Sequence, residues 1–253
     1  MGTKRIAALH ALLVLSVALS GCISENNKSS YSNNDSTNEI PDTFEDGIFT
    51  CLEHDNLTRC WQTHVPETLD PSTPVPLIVD MHGFGSHSTE QRHMSSFDTI
   101  AEEEGFIVVY PDGDSSVDKL TGNTNQAWNA GWCCSHSVNE DIDDVGFIEK
   151  MIQVVIEKYN IDTNRIYASG WSNGCAMSQR LAMESSHVFA AVGCMAMYLL
   201  TEHTPTYSPI PIMEVHGFLD QVVLYESTVL SVPWKEEMWK NPEAVSYTHL
   251  RAH

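Results

Sequence analysis

The pentapeptide Gly170-Trp171-Ser172-Asn173-Gly174 has the pattern Gly-x-Ser-x-Gly and lies between two segments of opposite structural preference. Residues 165–169 before it are rich in strand formers, and residues 175–185 after it favour a helix. A serine at such a turn adopts a strained backbone, and its neighbours two positions away must be small enough for strand and helix to nearly touch. The two glycines meet this requirement. The alternative is an ordinary glycine-rich turn, but the context predicts that Ser172 is a nucleophile.

The rest of the chain alternates between strand-like and helix-like segments. Two nearly continuous apolar runs, residues 75–81 and 106–110, are typical of buried parallel strands. Helices are expected at residues 97–104 and 144–159, and further strands around residues 165–169, 189–195 and 210–216. Alternation of this kind predicts an α/β fold, with a mostly parallel sheet covered by helices on both faces.

Length and charge restrict the class of protein further. The chain has 253 residues, of which 42% are hydrophobic, and this suits one α/β domain with a leader and a tether. Thirteen Lys and Arg residues stand against 34 Asp and Glu residues, for a net charge of −21. Such a charge repels phosphate backbones and anionic membrane surfaces, so nucleic acid is excluded as a partner. Solubility or a salty medium explains the acidity without a specific role.

The amino-terminal segment resembles an export signal. Lys4 and Arg5 precede an apolar run, residues 6–19, which is too short to cross and remain in a membrane. The run ends in Leu-Ser-Gly-Cys, similar to a bacterial lipobox, which predicts lipid attachment at Cys22. Plain secretion with cleavage nearby is the alternative. We expect a signal peptide at residues 1–22, a flexible tether at 23–43 and a protein that is exported, either lipid-anchored at the outer face of a membrane or extracellular.

Cysteine usage agrees with export, because six cysteines remain once Cys22 is set aside. Cys51 and Cys60 lie in two short alternating runs on either side of residues 54–57, so they can face each other across an N-terminal hairpin, and we expect them to form a disulfide. The pairing of the others cannot be read from the sequence. A link from the Cys133-Cys134 loop to Cys175 and buried free thiols are both open, and the remaining cysteine is Cys194.

Reactive groups are expected where the parallel strands end. A serine hydroxyl needs a histidine to accept its proton, an acid to orient that histidine and donors to hold the oxyanion. The N–H of Asn173 is expected to be one oxyanion donor, and the N–H of Phe84, in the His82-Gly83-Phe84-Gly85 loop after the first long strand, is expected to be the second. A simple turn is the alternative explanation for that loop.

Asp220 is the predicted acid. It follows the last expected strand, and α/β-hydrolases carry their triad in the chain order serine, acid, histidine. Asp141, Asp143 and Asp144 precede the serine at a helix start, where capping and dipole roles explain them better. His216 precedes the acid and ends a strand, so a structural role is expected for its ring.

Five stretches together resemble the secreted esterases grouped with polyhydroxybutyrate depolymerases and feruloyl esterases, within the α/β-hydrolase superfamily. Their order and spacing across roughly residues 47–225 are more specific than the pentapeptide alone. The resemblance implies a serine esterase mechanism without metal or organic cofactor, acting on an ester substrate that is polysaccharide-linked or a polyester. The stretches are residues 80–83, 128–134, 143–147, 170–174 and 216–220.

The sequence departs from that family after the acid. Members carry their catalytic histidine in a Gly-His setting after one more strand, whereas only His249 and His253 follow Asp220 here, with no strand pattern before them and no glycine beside them. We therefore expect an incomplete hydrolase domain at residues 44–245 and a non-native tail at 246–253. A chain without its base is expected to retain only the residual catalysis of its oxyanion hole.

Three tryptophans are candidates for substrate contact, namely Trp128, Trp132 and Trp171, although core filling explains each equally well. The chain has twelve histidines, but their spacings match no compact zinc pattern, so no metal site is expected. The competing function is a surface lipoprotein that binds polysaccharide or polyester without cleaving it. Feruloyl or acetyl esters of plant polysaccharide, short polyhydroxyalkanoate chains and generic short acyl esters are all candidate substrates.

Overall fold

In the computed structural model the described residues are 49–117, 124–199, 201, 205 and 207–223. The predicted leader with Cys22, the tether, and His249 and His253 lie outside these residues. No helix among the described residues has the length and apolar character needed to cross a membrane.

A mixed sheet forms the centre of the described structure. Its seven strands have the order β1-β2-β4-β3-β7-β8-β9, and β5 and β6 form a separate antiparallel pair. All neighbours from β4 to β9 in this order are parallel, while β1 and β2 join antiparallel at one edge. The strands are β1 (Phe49–His54), β2 (Leu57–His64), β3 (Val75–Met81), β4 (Ile107–Pro111), β5 (Asp114–Val117), β6 (Thr124–Ala127), β7 (Ile161–Trp171), β8 (Ala191–Met195) and β9 (Ile212–Val215).

Helices cover both faces of this sheet, as the alternation of elements predicts. Side chains alternate along β3, so Leu77 and Val79 enter one apolar cluster and Ile78 enters the other. The larger cluster packs under α4 and α5, and the smaller one under α2. The helices are α1 (Ser88–Ser95), α2 (Phe97–Glu104), α3 (Ser135–Asn139), α4 (Asp144–Lys158) and α5 (Asn173–Glu184). The predicted α/β architecture, a mostly parallel sheet with helices on both faces, is thus confirmed.

The predicted N-terminal hairpin is also present. Its two-residue turn, Asp55-Asn56, has positive φ at both residues, which is the turn geometry that matches the twist of paired strands. Cys51 and Cys60 face each other in the β1–β2 ladder and form a disulfide, as expected.

Two features escaped the prediction. Helix α1 was not expected because its sequence, Ser-Thr-Glu-Gln-Arg-His-Met-Ser, has one apolar residue, Met94, and that side chain is exposed. The residues that α1 buries are polar, Ser88 and Gln91, so no apolar periodicity marks the helix. The β5–β6 pair was missed for a similar reason, since its residues are mostly small and polar.

Candidate active site

Ser172 occupies a strained turn between β7 and α5. Its backbone has φ 53° and ψ −120°, a conformation that residues other than glycine rarely adopt. Its N–H donates to the carbonyl oxygen of Met195 at the end of the neighbouring strand β8, at 2.9 Å. Its own carbonyl oxygen accepts the N–H groups of Cys175 and Ala176 at 2.8 and 3.1 Å, which begins the helix. The turn is therefore held from both sides.

The two glycines of the pentapeptide are required by close backbone contacts. A Cβ on Gly170 would lie 2.6 Å from the carbonyl carbon of Gly174 and 2.8 Å from the carbonyl oxygen of Met81. A Cβ on Gly174 would overlap the carbonyl oxygens of Met81 and His82. Strand β3, strand β7 and helix α5 thus meet here with no room for a side chain, as the pattern predicts.

The backbone N–H groups of Asn173 and Phe84, which both lie near this turn, have no acceptor within the described residues. One neighbour of each is hydrogen-bonded, since the Ser172 N–H donates to the carbonyl oxygen of Met195 and the Gly85 N–H donates to that of Gln126 at 2.8 Å. Asn173 is the first residue of α5, where N–H groups lack intrahelical partners and carry the positive end of the helix dipole. Both predicted oxyanion donors are therefore unpaired in this structure.

His82 holds the loop that carries Phe84. Its ring is fully buried, its Nε2 accepts the N–H of Gly113 at 2.9 Å, and its Nδ1 lies 2.8 Å from the carbonyl oxygen of Gly83. Since Nε2 is an acceptor, the neutral ring carries its proton on Nδ1 and donates to Gly83. Burial lowers the pKa of His82 to about 4, so the ring is neutral near pH 7.

Asn173 and Trp128 connect this loop to the serine turn. The Oδ1 atom of Asn173 accepts the N–H of Trp128 at 2.8 Å, and its Nδ2 donates to the Trp128 carbonyl oxygen at 3.1 Å. The indole Nε1 of Trp128 in turn donates to the carbonyl oxygen of His82 at 2.9 Å. Asn173, Trp128 and His82 are each 0% exposed. Sequence patterns gave no sign of this chain of hydrogen bonds.

The three candidate tryptophans have different environments. Trp128 is completely buried, which favours the core-filling alternative for that residue. Trp132 is partly buried against the core. Trp171 is 39% exposed, and its ring lies over Gly83, where a Cβ would come within 3.0 Å of it. Trp171 is thus the most accessible of the three beside Ser172.

Asp220 and His216 follow strand β9. Oδ1 of Asp220 accepts the N–H groups of Val222 and Val223 at 2.8 and 2.9 Å, which closes a tight loop. The His216 ring stacks on Tyr198, with 4.7 Å between ring centroids. Its Nδ1 lies 3.0 Å from a Glu214 carboxylate oxygen, and its Nε2 lies 2.6 Å from the carbonyl oxygen of Val223. Both ring nitrogens are engaged, which fits the structural role expected for His216.

The acidic residues before the serine stabilise the fold. Asp143 caps α4 by accepting the Gly146 N–H at 2.9 Å, as expected. Asp144 forms an ion pair with Arg59 at 2.6 Å and accepts the Asn129 N–H at 2.6 Å, with both side chains almost fully buried. Burial raises the pKa of the Asp144 carboxyl, while Arg59 opposes this effect. The ion pair, which joins β2 to α4 and the Trp128 loop, was not foreseen.

A second unforeseen group is Asp80 on β3, which is 1% exposed and faces α1. Its Oδ2 accepts the side-chain N–H of Gln91 at 3.0 Å. Burial raises the pKa of Asp80 to about 6. A lone acidic residue within an apolar run was the only signal that the sequence carried.

The remaining cysteines pair within the site's surroundings. Cys175 on α5 is joined to Cys194 on β8, and Cys133 is joined to Cys134. The link considered between the Cys133-Cys134 loop and Cys175 is therefore not formed. Instead, the Cys175–Cys194 disulfide joins α5 to β8, the strand beside β7.

Ser172 Oγ has no hydrogen-bond partner among the described residues, so no histidine of that part of the chain contacts it. The described histidines nearest the strand ends, His82 and His216, are held by other groups. Searching the same residues for three or more His, Cys, Asp or Glu side chains that could hold a metal ion finds no such group.

Comparison with known proteins finds a matching family and several similar esterases. A sequence model of the phospholipase/carboxylesterase family matches residues 65–253. A bifunctional acetylxylan esterase/xylanase of Neocallimastix patriciarum is 27% identical over 163 residues, which are 64% of this chain and 22% of that protein. Feruloyl esterase B of Piromyces equi is 31% identical over 162 residues, 62% of this chain and 28% of that protein. The chain thus spans less than a third of either relative's length.

Among solved structures, a thermostable esterase superposes with a TM-score of 0.53 at 20% sequence identity. The match covers 73% of this chain and 50% of the solved chain. At this level of identity the likeness supports the fold and nothing finer.

Proposed function

The chain belongs to the phospholipase/carboxylesterase family of ester hydrolases, and on that premise we propose that it is an exported serine hydrolase which cleaves carboxylic esters through an acyl-enzyme on Ser172. The observation that carries the proposal is the geometry of the serine turn. Ser172 has the strained backbone expected of a nucleophile at such a turn, and the unpaired N–H groups of Asn173 and Phe84 lie at the start of α5 and in the loop after β3.

The chemistry follows from this arrangement. Ser172 Oγ attacks the ester carbonyl carbon while a general base takes its proton, and the carbonyl oxygen becomes an anion held by the N–H groups of Asn173 and Phe84. Collapse of this intermediate expels the alcohol, which receives the proton from the base. Water then attacks the acyl-enzyme in the same way, which releases the acid and restores the serine.

Asp220 is the proposed acid of the triad. It follows β9, whose neighbour β8 pairs with β7, so its loop and Ser172 lie at the same carboxyl edge of the sheet. The chain order of hydrolase triads puts the base after the acid. No residue is assigned as the base, because no described histidine contacts Ser172.

The proposed substrates are feruloyl or acetyl esters of polysaccharide, with polyhydroxyalkanoate as the alternative. The names of the two relatives, an acetylxylan esterase/xylanase and a feruloyl esterase, favour the first group. The exposed ring of Trp171 beside Ser172 offers a flat apolar surface for an aromatic acyl group. The proposal includes export and a lipid anchor at Cys22, which rest on the sequence pattern alone.

A binding protein without catalysis is the second candidate, and the unpartnered Ser172 hydroxyl favours it. A fluorophosphonate probe separates the two, because it reacts with activated serines. The test compares the chain with Ser172→Ala and with Ser72→Ala, which removes an exposed hydroxyl in the loop before β3, at the opposite edge of the sheet. We expect labelling, slow where the base is missing, that Ser172→Ala abolishes and Ser72→Ala retains. Absence of label at Ser172 would favour the binding protein.

A further inference from the structure

The two proposed oxyanion donors belong to different parts of the chain. Asn173 lies at the start of α5, and Phe84 lies in the loop after β3. An oxyanion is stabilised only when both N–H groups point at the same place, within about 3 Å of it. Their separation therefore has to be fixed by contacts between the two segments, and the structure contains one continuous set of such contacts.

We propose that Trp128 is a positioning residue that holds the N–H groups of Phe84 and Asn173 at a fixed separation. The inference rests on the proposed function, since it concerns the oxyanion site of that reaction. On one side, the peptide N–H and C=O of Trp128 are both hydrogen-bonded to the Asn173 side chain. These two hydrogen bonds fix both the distance between Trp128 and Asn173 and their relative orientation.

On the other side, the Trp128 indole reaches the loop that carries Phe84. Its Nε1–H donates to the carbonyl oxygen of His82 at 2.9 Å, and its ring lies 5.0 Å from the His82 ring. The next peptide group, between Gly83 and Phe84, has its carbonyl oxygen bonded to His82 Nδ1. Trp128 thus holds one peptide of the loop, and His82 holds the next, which bears the Phe84 N–H.

Burial makes these links strong and specific. Trp128 is 0% exposed, so water cannot replace the indole N–H if it is removed, and the His82 carbonyl oxygen would lose its partner. The loop would then shift to find another donor. A displacement of about 1 Å in an active site can lower a rate by about 100-fold, whereas substrate affinity depends mainly on other contacts.

The test replaces Trp128 by Phe, which keeps an aromatic ring but removes the indole N–H. Trp61→Phe is the matched control, because Trp61 is 1% exposed and its indole has no hydrogen-bond partner among the described residues. Two quantities are measured for each variant: the backbone amide NMR signals of Phe84 and Asn173, and kcat and KM for hydrolysis of p-nitrophenyl acetate that depends on Ser172.

We expect Trp128→Phe to shift the Phe84 and Asn173 amide signals and to lower kcat by about 10- to 100-fold with KM within about threefold. Trp61→Phe is expected to leave the two amide signals, kcat and KM unchanged. Should Trp128→Phe not fold, Asn173→Asp replaces the donor Nδ2 by an acceptor opposite the Trp128 carbonyl oxygen, and it is expected to shift the Phe84 signal as well.

If Trp128→Phe folds and the amide signal of Phe84 does not shift, the positioning role of Trp128 is wrong, whatever the value of kcat. If Ser172→Ala hydrolyses p-nitrophenyl acetate as fast as the unsubstituted chain does, the proposed function is wrong instead. The amide signals would still decide the role of Trp128. The two failures are therefore distinguishable.

Discussion

His82 donates a hydrogen bond from Nδ1 to the carbonyl oxygen of Gly83 at 2.8 Å. That carbonyl belongs to the same peptide group as the N–H of Phe84. Because a peptide group is planar and trans, fixing the direction of its carbonyl also fixes the direction of its N–H. A second bond, from the Gly113 N–H to His82 Nε2, requires a neutral ring. The ring that orients one proposed oxyanion donor is thus itself held by a hydrogen bond that exists only while the ring is neutral.

The shifted pKa values of His82 and Asp80 predict opposite effects of pH on the stability of the folded chain. The pKa of His82 falls from 6.5 to about 4 on folding, so the unfolded chain binds more protons between these values and stability is lost as pH falls. The pKa of Asp80 rises from 3.8 to about 6, so the folded chain binds more protons and stability is lost as pH rises. Each shift corresponds to at most about 3 kcal/mol, and in the natural chain the two partly cancel.

Asp80→Asn is therefore expected to lose more stability on acidification than the natural chain. The amide oxygen can still accept from Gln91, but the substitution removes the titrating carboxyl of Asp80 and leaves the pH dependence that comes from His82. Urea unfolding between about pH 7 and pH 4.5 measures the free energy of unfolding. Glu104→Gln, which removes an exposed carboxylate at the end of α2, is the control. Parallel pH curves for Asp80→Asn and the natural chain would refute this prediction.

Gly174→Ala is expected to destabilise the protein by more than about 3 kcal/mol, because the added Cβ would overlap two backbone oxygens, those of Met81 and His82, that cannot move independently. Gly105→Ala is the matched substitution. Gly105 has φ +73°, and a Cβ there would meet nothing within 4 Å, so only the backbone strain of about 1 kcal/mol is expected. Thermal unfolding of both variants compares the two. Equal losses would show that crowding at the serine turn is unimportant.

The adjacent residues Asp143 and Asp144 are expected to differ strongly in their contribution to stability. Asp144→Ala leaves the buried charge of Arg59 without its carboxylate partner, which typically costs about 3 to 5 kcal/mol. Asp143→Ala removes a helix cap with a half-exposed side chain, which costs about 1 kcal/mol. Urea unfolding at neutral pH measures both. A smaller loss for Asp144→Ala than for Asp143→Ala would contradict the assignment of the buried ion pair.

His249→Ala and His253→Ala are expected to leave the labelling of Ser172 by a fluorophosphonate unchanged, because neither histidine has a strand pattern before it or a glycine beside it. His187→Ala, which alters an imidazole that is 73% exposed, is the control. A fall of about 100-fold or more in one of the two variants alone would identify that histidine as the base.

Much of the fold could be predicted because its signals are local. The hairpin turn at Asp55-Asn56, the buried run of β3 and the glycines around Ser172 each depend on residues close together in sequence. Helix α1 was missed because it buries polar side chains that bond to other elements. Gln91, for example, reaches Asp80 on β3. No periodicity in a single segment records such a contact.

The candidate site was predictable only in part for the same reason. Ser172, Asn173 and Phe84 follow from motifs with known geometry, whereas the role of Trp128 depends on partners 45 and 46 residues away. From the sequence, substrate contact and core filling were both open for Trp128, and the structure shows that it is completely buried. Its position depends on the packing of three elements, which a single sequence does not reveal.

The central claim, an acyl-enzyme on Ser172, is tested most directly by trapping that intermediate. The chain, Ser172→Ala and Ser72→Ala are each incubated with p-nitrophenyl acetate, quenched in acid and digested, and the acetylated peptide is located by mass spectrometry. We predict one acetyl group on Ser172 in the natural chain and in Ser72→Ala, and none at position 172 in Ser172→Ala. Acetylation absent from Ser172, or the same rate of p-nitrophenol release in all three proteins, would contradict the account.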